Sequence, residues 1–412
     1  MTFNVKTANI TYYVAQEFIP PPDGPQQQMY VRHLGGHFEI NQGKSRLHKG
    51  ARISFNTYFN SFYESFWADY TSLKNLCLEL TLKGSVLVEI HRDTSTNGCH
   101  KIGGFRVEAK SEESRKVDIP AAFHGCGDLG RIFVDFCAIE DSTISDIRYL
   151  TTSAPHCTPA VAVAIRAIGD ARSLYNTLLT FVDSPHTDGF ISDIFIVNSN
   201  CIFSDPELVS LIESTEKVRL IESANMQDAR SDGSLAVEYL LAAGGTHCLV
   251  IDADTVVDQV VLSNFFRFLR YAPVDIVIGG HLFDRHRPAI LCETGTSATN
   301  IGPAFAHHAH MDGRKIESLV GFNKARKSGR IPAWLCAIPS KHIRALKRNL
   351  TVFNTKVQPD PTVLREIGIT AMSLPGIGIW GERRRYDPCY TLQTLFWTSN
   401  PATKVLYVRE LL

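Results

Sequence analysis

The chain carries no surplus of charge of either sign. Its 412 residues hold 42 Lys and Arg against 42 Asp and Glu, a formal net charge of zero at pH 7. That balance supplies no global attraction to nucleic acid or to an anionic membrane, although it leaves local basic patches open. No run of about 18 apolar residues occurs, which argues against a transmembrane helix. The first residues, Met1 to Gln16, mix Asn, Lys and Thr with apolar residues and lack the basic-then-apolar layout of a signal peptide. The ten cysteines are scattered singly, without a CxxC pair. The expected state is reduced and cytoplasmic, with most thiols serving as small buried apolar groups. An even count still leaves disulfides open. No internal repeat is visible.

What is present is ordinary globular composition, 44% apolar and 20% charged. This excludes disordered, collagen-like and low-complexity chains. The length allows roughly two to three domains of about 150 residues.

Four regions are expected. Residues 1–28 form an extended arm ending in Pro20-Pro21-Pro22-Asp23-Gly24-Pro25, which cannot continue a helix or a central strand. Residues 29–156 are read as an all-β sandwich. Candidate strands run over Arg52 to Phe59, Leu78 to Leu82, Ser85 to Ile90 and Gly130 to Cys137, separated by Gly and polar clusters. Asp118-Ile119-Pro120 is taken as the start of another edge strand. Phe55, Tyr58, Phe59, Phe62, Tyr63, Phe66 and Trp67 form an aromatic-dense segment. It suits core packing, and it also suits a platform for stacking sugars.

From residue 157 to 395 the pattern alternates between strand and helix. Strands are expected at Ala160 to Ile165, Ile194 to Val197, Val218 to Ile221, Cys248 to Ile251 and Ile276 to Ile278. Helical faces are read at Leu174, Leu178, Phe181 and Val182, then at Leu208, Leu211 and Ile212 behind an Asp205-Pro206 cap. Further faces lie at Val237, Leu240 and Leu241, and at Leu262, Phe265, Phe266 and Leu269. A short helix is expected to start at Ser340. Such alternation builds an α/β, mainly parallel sheet with helices on both faces, and ligands then sit beyond the carboxyl ends of the strands. Residues 396–412 are a tail.

Asp252-Ala253-Asp254 follows directly on an apolar strand. Two carboxylates at i and i+2 can share a divalent ion through hard oxygen ligands, and that ion can bridge a diphosphate. The same pair could instead serve as a turn and cap. Asn198, at the end of the second strand, offers a short polar group to a base or ribose. The segment from Asn225 to Gly233 precedes a helix N-terminus, where phosphate binds readily.

Several pieces then line up. They are Ile53-Ser54-Phe55-Asn56-Thr57-Tyr58-Phe59-Asn60-Ser61-Phe62-Tyr63, Leu249-Val250-Ile251-Asp252-Ala253-Asp254 and Gly279-Gly280-His281-Leu282-Phe283-Asp284. Pro288 to Glu293 and Gly295 follow, then Pro332-Ala333-Trp334-Leu335 and Leu374-Pro375-Gly376-Ile377-Gly378-Ile379-Trp380-Gly381-Glu382. In content and order these resemble the bacterial galactofuranosyltransferases of the large inverting GT-A glycosyltransferase family, from about residue 30 to 395. The resemblance implies a β-sandwich ahead of a GT-A domain, a UDP-sugar donor, a manganese or magnesium ion, and inversion at the anomeric carbon. Asp252 and Asp254 would hold the metal. Arg166, Asn198, Arg230 and Asp252 would bind the donor. Asp284, Glu293, Trp334 and Trp380 would meet a glycan or glycolipid acceptor. A cytoplasmic enzyme of surface-polysaccharide synthesis is expected, with no nucleic-acid partner. Peripheral contact with the inner membrane and self-association are both compatible with the sequence.

Three positions depart from the family. Its late motif reads Trp-His-Glu, with the His on the metal, whereas here it reads Trp380-Gly381-Glu382. The base motif, Asp-Asp-x-Glu, is replaced around Gln358-Pro359-Asp360-Pro361, which leaves Asp360 as the carboxylate to act as general base. The glycine-rich loop reads Gln227-Asp228-Ala229-Arg230-Ser231-Asp232-Gly233, with one glycine. His281, or His307, His308 and His310, would be replacement ligands, since imidazole binds manganese and zinc. A catalytically impaired nucleotide- or carbohydrate-binding protein is the alternative.

Overall fold

A computed structural model describes residues 10–41, 43–120, 122–123, 129–167, 170–187, 189–198, 205–222, 244–294, 297–299, 302–304, 311–324, 335–343 and 370–381. The chain divides into two compact units. One comprises Met1–Asp23, Gln27–Cys157 and Arg267–Ala272, and the other Gly24–Gln26, Thr158–Phe266 and Pro273–Leu412.

The first unit is all-β apart from short helices. Its strands are β1 (Tyr13–Glu17), β2 (Arg32–Gly35), β3 (Phe38–Asn41), β4 (Lys44–Leu47), β5 (Arg52–Ser54), β6 (Cys77–Thr94), β7 (Gly98–Asp118), β8 (Arg131–Ala138) and β9 (Ser142–Thr151), with helix α1 (Glu64–Tyr70) between β5 and β6. They join in one nine-stranded antiparallel sheet organised around β6. The first half of β6 pairs with β9 and the second half with β8, while β7 lies along its other edge. Alternate β6 residues Leu78, Leu80, Leu82, Val86, Val88 and Ile90 are fully buried, the period-two pattern of a strand with one face on a core.

Three expectations change here. The strands expected separately at Leu78 to Leu82 and Ser85 to Ile90 are one continuous strand, β6. The strand expected over Arg52 to Phe59 stops at Ser54. Asp118 ends β7 and does not start a strand.

The aromatic segment belongs to the core. Phe55, Tyr58, Phe59, Phe62, Tyr63, Phe66 and Trp67 are at most 4% exposed, so no face is left for stacking a sugar. The polar residues of the same segment act as braces. Asn60 Oδ1 accepts from Ile19 N at 2.7 Å, and its Nδ2 donates to the carbonyls of Ile19 and Tyr30, each at 2.9 Å. Ser61 Oγ donates to Thr57 O at 2.6 Å. A buried amide that satisfies three backbone groups ties the arm to the sheet at little desolvation cost. Fully buried Arg131 is likewise paired, with Asp93 at 2.8 Å and Ser61 Oγ at 2.7 Å.

The second unit carries β10 (Val161–Ala167), α2 (Ala171–Val182), β11 (Ile191–Asn198), α3 (Pro206–Ser214), β12 (Val218–Glu222), β13 (His247–Asp252), β14 (Val256–Val257), residues 259–266 of α4 (Gln259–Tyr271), β15 (Ile276–Asp284), β16 (Leu291–Glu293), β17 (Ser297–Thr299), β18 (Gly302–Ala304), α5 (Ile316–Lys324), β19 (Cys336–Pro339) and β20 (Thr370–Gly381). The expected strand–helix alternation is present over β10-α2-β11-α3-β12 and again over β13-β14-α4-β15. The cap at α3 is as read, with Asp205 Oδ1 accepting from Glu207 N at 2.9 Å and Leu208 N at 3.4 Å, and Pro206 opening the helix. The helical face expected at Val237, Leu240 and Leu241 lies outside the described residues.

The sheet order is β12-β11-β10-β13-β19-β15-β20-β14, with β16 on β15. β10, β11, β12 and β13 run parallel, and β15 runs parallel to β20. The expectation of a mainly parallel sheet is corrected at three strands: β19 is inserted antiparallel to both β13 and β15, β14 runs antiparallel to β20, and β16 runs antiparallel to β15. Being antiparallel to each, β19 leaves those two neighbours pointing the same way. The carboxyl ends of β10, β11, β12, β13, β15 and β20 therefore share one edge.

Among the described residues no disulfide joins any cysteines, and no helix is long and apolar enough to cross a membrane.

Candidate active site

The shared strand edge carries Asp252, Arg166, Asn198 and Asp284. β13 ends at Asp252, which is opposite Arg166 of β10 in register. Asn198 ends β11 between Ala167 and Glu222. Asp284 ends β15 opposite Gly381 of β20. The side chains of Arg166 and Asn198 are not among the described ones. Arg230, Trp334, Asp360, His307, His308 and His310 lie wholly outside the described residues.

The acid pair sits on a turn held from two sides. Asp252 is buried and Asp254 half-buried. Thr255 N donates to Asp252 O at 3.1 Å, which closes the turn. Thr177 Oγ1 lies 2.6 Å from Ala253 O and 3.1 Å from Thr255 O. Thr177 belongs to the buried stripe of α2 with Leu174, Leu178 and Phe181, so packing that helix on the sheet also fixes the turn. On the other side β14 pairs antiparallel with β20, Val256 opposite Trp380 and Val257 opposite Ile379. The carboxylates are thus carried on backbone held by a helix and by the strand bearing the Trp380-Gly381 motif. Two carboxylates give a hard oxygen donor set that suits manganese or magnesium.

The glycines of the neighbouring motifs have a steric reason. Pairing between β15 and β20 jumps from Gly279–Ser373 to His281–Gly378, so Leu374 to Ile377 bulge out of the ladder. Gly376 sits in the bulge at φ +82°. A Cβ on Gly280 would meet Ile377 O at 2.8 Å, so only glycine lets the bulge lie this close.

Asp284 is committed to its own loop. Its Oδ1 accepts from His286 N at 2.9 Å and Arg287 N at 3.1 Å, and its Oδ2 accepts from Arg287 Nε at 3.2 Å and Nη2 at 3.1 Å. A carboxylate has about four acceptor sites, so these bonds use its capacity. Burial alone would raise the Asp284 pKa, but the bonds from His286 and Arg287 outweigh it and hold the group below the usual carboxylate range.

Trp380 Nε1 donates to Pro288 O at 2.8 Å, which fixes the half-buried indole over the same loop. Glu293 is half-buried on β16, opposite Leu282. His281 is 3% exposed, with its ring 5.4 Å from that of Phe322 on α5.

Two residues at this edge were not singled out from sequence. Thr177 is one, and its signal was a polar residue inside an apolar helical stripe. Asp170 is the other. It caps α2 by accepting from Ser173 N at 2.7 Å, a bond that lowers its pKa, with a smaller contribution from the charge of Arg285 beyond the end of β15.

Residues 36–152 match the family model described as galactofuranosyltransferase 2 N-terminal. The galactofuranosyltransferase GlfT2 of Mycobacterium tuberculosis (strain ATCC 25618 / H37Rv) is 21% identical over 345 residues, which cover 80% of this chain and 54% of that protein. GlfT2 of Mycolicibacterium smegmatis (strain ATCC 700084 / mc(2)155) is 22% identical over 363 residues, covering 80% and 53%. The chain therefore spans about half the length of the curated relatives it matches. Among solved structures, mannosyltransferase PcManGT from Pyrobaculum calidifontis, in complex with GDP-Man and Mn2+, shares 15% identity over 60% of this chain and 67% of that one, at a TM-score of 0.40. The chain is galactofuranosyltransferase-like: its N-terminal region matches that family's model, and the similarity to GlfT2 extends over four fifths of its length.

Proposed function

We propose that the chain is an inverting, metal-dependent glycosyltransferase that moves a sugar, galactofuranose being the first candidate, from a UDP-sugar to a surface glycan. The first unit is read as the β-sandwich and the second as the GT-A domain. The observation that carries the reading is the Asp252-Ala253-Asp254 turn at the carboxyl edge of the sheet, braced by Thr177 and by β20.

Asp252 and Asp254 would hold manganese or magnesium by oxygen ligands. A divalent ion bound there supplies positive charge to the departing nucleotide diphosphate. Arg166, Asn198 and Arg230 would meet the donor from neighbouring strand ends and the following loop. Asp360 would take the proton from the acceptor hydroxyl as general base. Trp380 and Trp334 would present ring faces to the acceptor, and Glu293 would accept from its hydroxyls. Asp284 would shape the acceptor-side loop through Arg287 and contribute no free oxygen of its own.

The test is transfer or donor hydrolysis with a panel of UDP-sugars and manganese. UDP release that depends on manganese and on Asp254 supports the reading. Transfer that survives both chelation and Asp254→Asn refutes the metal assignment.

One observation favours a second reading. Gly381 brings no ligand to the position where the family has His, so the chain could bind a nucleotide sugar without turning it over. UDP binding by calorimetry, with no turnover on any acceptor, would select that reading.

A further inference from the structure

We propose that His37, Glu39 and His48, on the β3–β4 hairpin of the first unit, form a binding site for a zinc-class divalent cation. The site is separate from the acid pair and is independent of the function proposed above. One ligand atom from each of the three side chains lies within 4.8 Å of the others.

The placement follows from strand geometry. His37 immediately precedes β3, and Glu39 is two residues on, so both side chains emerge on the same face. Both are exposed, whereas Phe38 and Ile40 between and beyond them are half-buried. β3 and β4 pair with Phe38 opposite Leu47 and Glu39 opposite Arg46. One step further along the ladder puts His48 opposite His37, and His48 N donates to His37 O at 3.0 Å. The two imidazole rings have centroids 4.8 Å apart. Donors bonded to zinc at about 2.0–2.2 Å stand roughly 3–4 Å from one another. A small rotamer adjustment closes the triad on one ion.

Two further features support a site. Asp141 Oδ2 lies 3.6 Å from His48 Nδ1, the carboxylate–histidine arrangement that orients a ligating ring and adds negative potential. Gly36, next to His37, has φ +74°, and a Cβ there would meet Ala51 Cα at 2.5 Å. Only glycine lets the chain leading into β3 pass this close to the segment after β4, and that approach sets His37 beside His48.

Two imidazoles and one carboxylate suit zinc, with a fourth position left for water or an outside ligand. Imidazole donors rank zinc above manganese and magnesium, so the ion would differ from that of the acid pair. The cation is held against the charge of Arg46 opposite Glu39. Once bound, it would clip β3 to the segment after β4.

The experiment is calorimetric titration of the tag-free full chain with zinc chloride under excess magnesium. It is done in an Asp252→Asn/Asp254→Asn background, so that the acid pair contributes nothing. One zinc per chain is expected. His37→Ala and His48→Ala should each weaken binding at least about tenfold with circular dichroism unchanged, and Asp141→Asn, which keeps an oxygen for Lys49 N, should weaken it by about tenfold. Cobalt in place of zinc should give a visible tetrahedral absorption band that disappears in the His variants. Absence of zinc binding in the background chain, or binding unaltered in a folded His37→Ala/His48→Ala double variant, overturns the proposal.

Discussion

Thr177, from the middle of α2, donates its hydroxyl to the carbonyl of Ala253 at 2.6 Å, the residue between the two aspartates of the candidate site. A buried helix side chain thereby fixes the backbone that carries Asp252 and Asp254. The turn is organised by the fold itself, before any ligand arrives.

Thr177→Val keeps the shape and removes the donor. It leaves two buried carbonyls without that partner, at a cost of about 1–2 kcal/mol. A lower denaturation midpoint is expected together with weaker manganese binding. If only stability changes, the brace does not preorganise the acids.

Stability should fall on mild acidification because of His247. This side chain at the start of β13 is 2% exposed, and burial lowers its pKa to about 4. The unfolded chain, with an ordinary value near 6.5, binds the proton first. The contribution of neutral, buried His247 is complete above about pH 6.5, is lost as pH falls toward 4, and levels off below that. At about 1.4 kcal/mol per unit the loss is at most roughly 3 kcal/mol. Urea unfolding of the wild type and His247→Gln at pH 7.5, 6 and 5 checks this. The variant should show a shallower decline over that interval.

Gly381→His tests whether the motif departure matters. A Cβ there meets Leu282 Cδ1 at 3.1 Å, a flexible methyl that can give way, so the cost should stay within about 1–3 kcal/mol. Tighter manganese binding is expected, read by titration alongside a thermal melt. Unchanged affinity in a folded variant would mean that this strand end does not face the ion.

Much of this architecture could be read from the residues. The apolar runs of β10, β11, β12 and β13 and the Asp205-Pro206 cap carry local signals, and they placed Asp252 at a strand end. β7 escaped because its 21 residues are mostly exposed and heavily charged, so no alternating apolar face marks it. β20 escaped because Pro375, Gly376 and Gly378 interrupt its run of β-formers, and the structure absorbs the interruption in a bulge against Gly280. The antiparallel β19 is four residues long, too short for its direction to be legible. In the candidate site the strand-end position of the acids was legible and the brace from Thr177 was not, since which backbone a buried hydroxyl reaches is set by packing across 76 residues of sequence.

The most direct measurement is manganese binding and UDP release from UDP-sugars by the wild type and by Asp254→Asn, both checked for folding. The account predicts that loss of this one carboxylate charge weakens manganese binding and cuts turnover roughly 10²–10³-fold, with structure unchanged. A folded Asp254→Asn protein that binds manganese and releases UDP as the wild type does would contradict it.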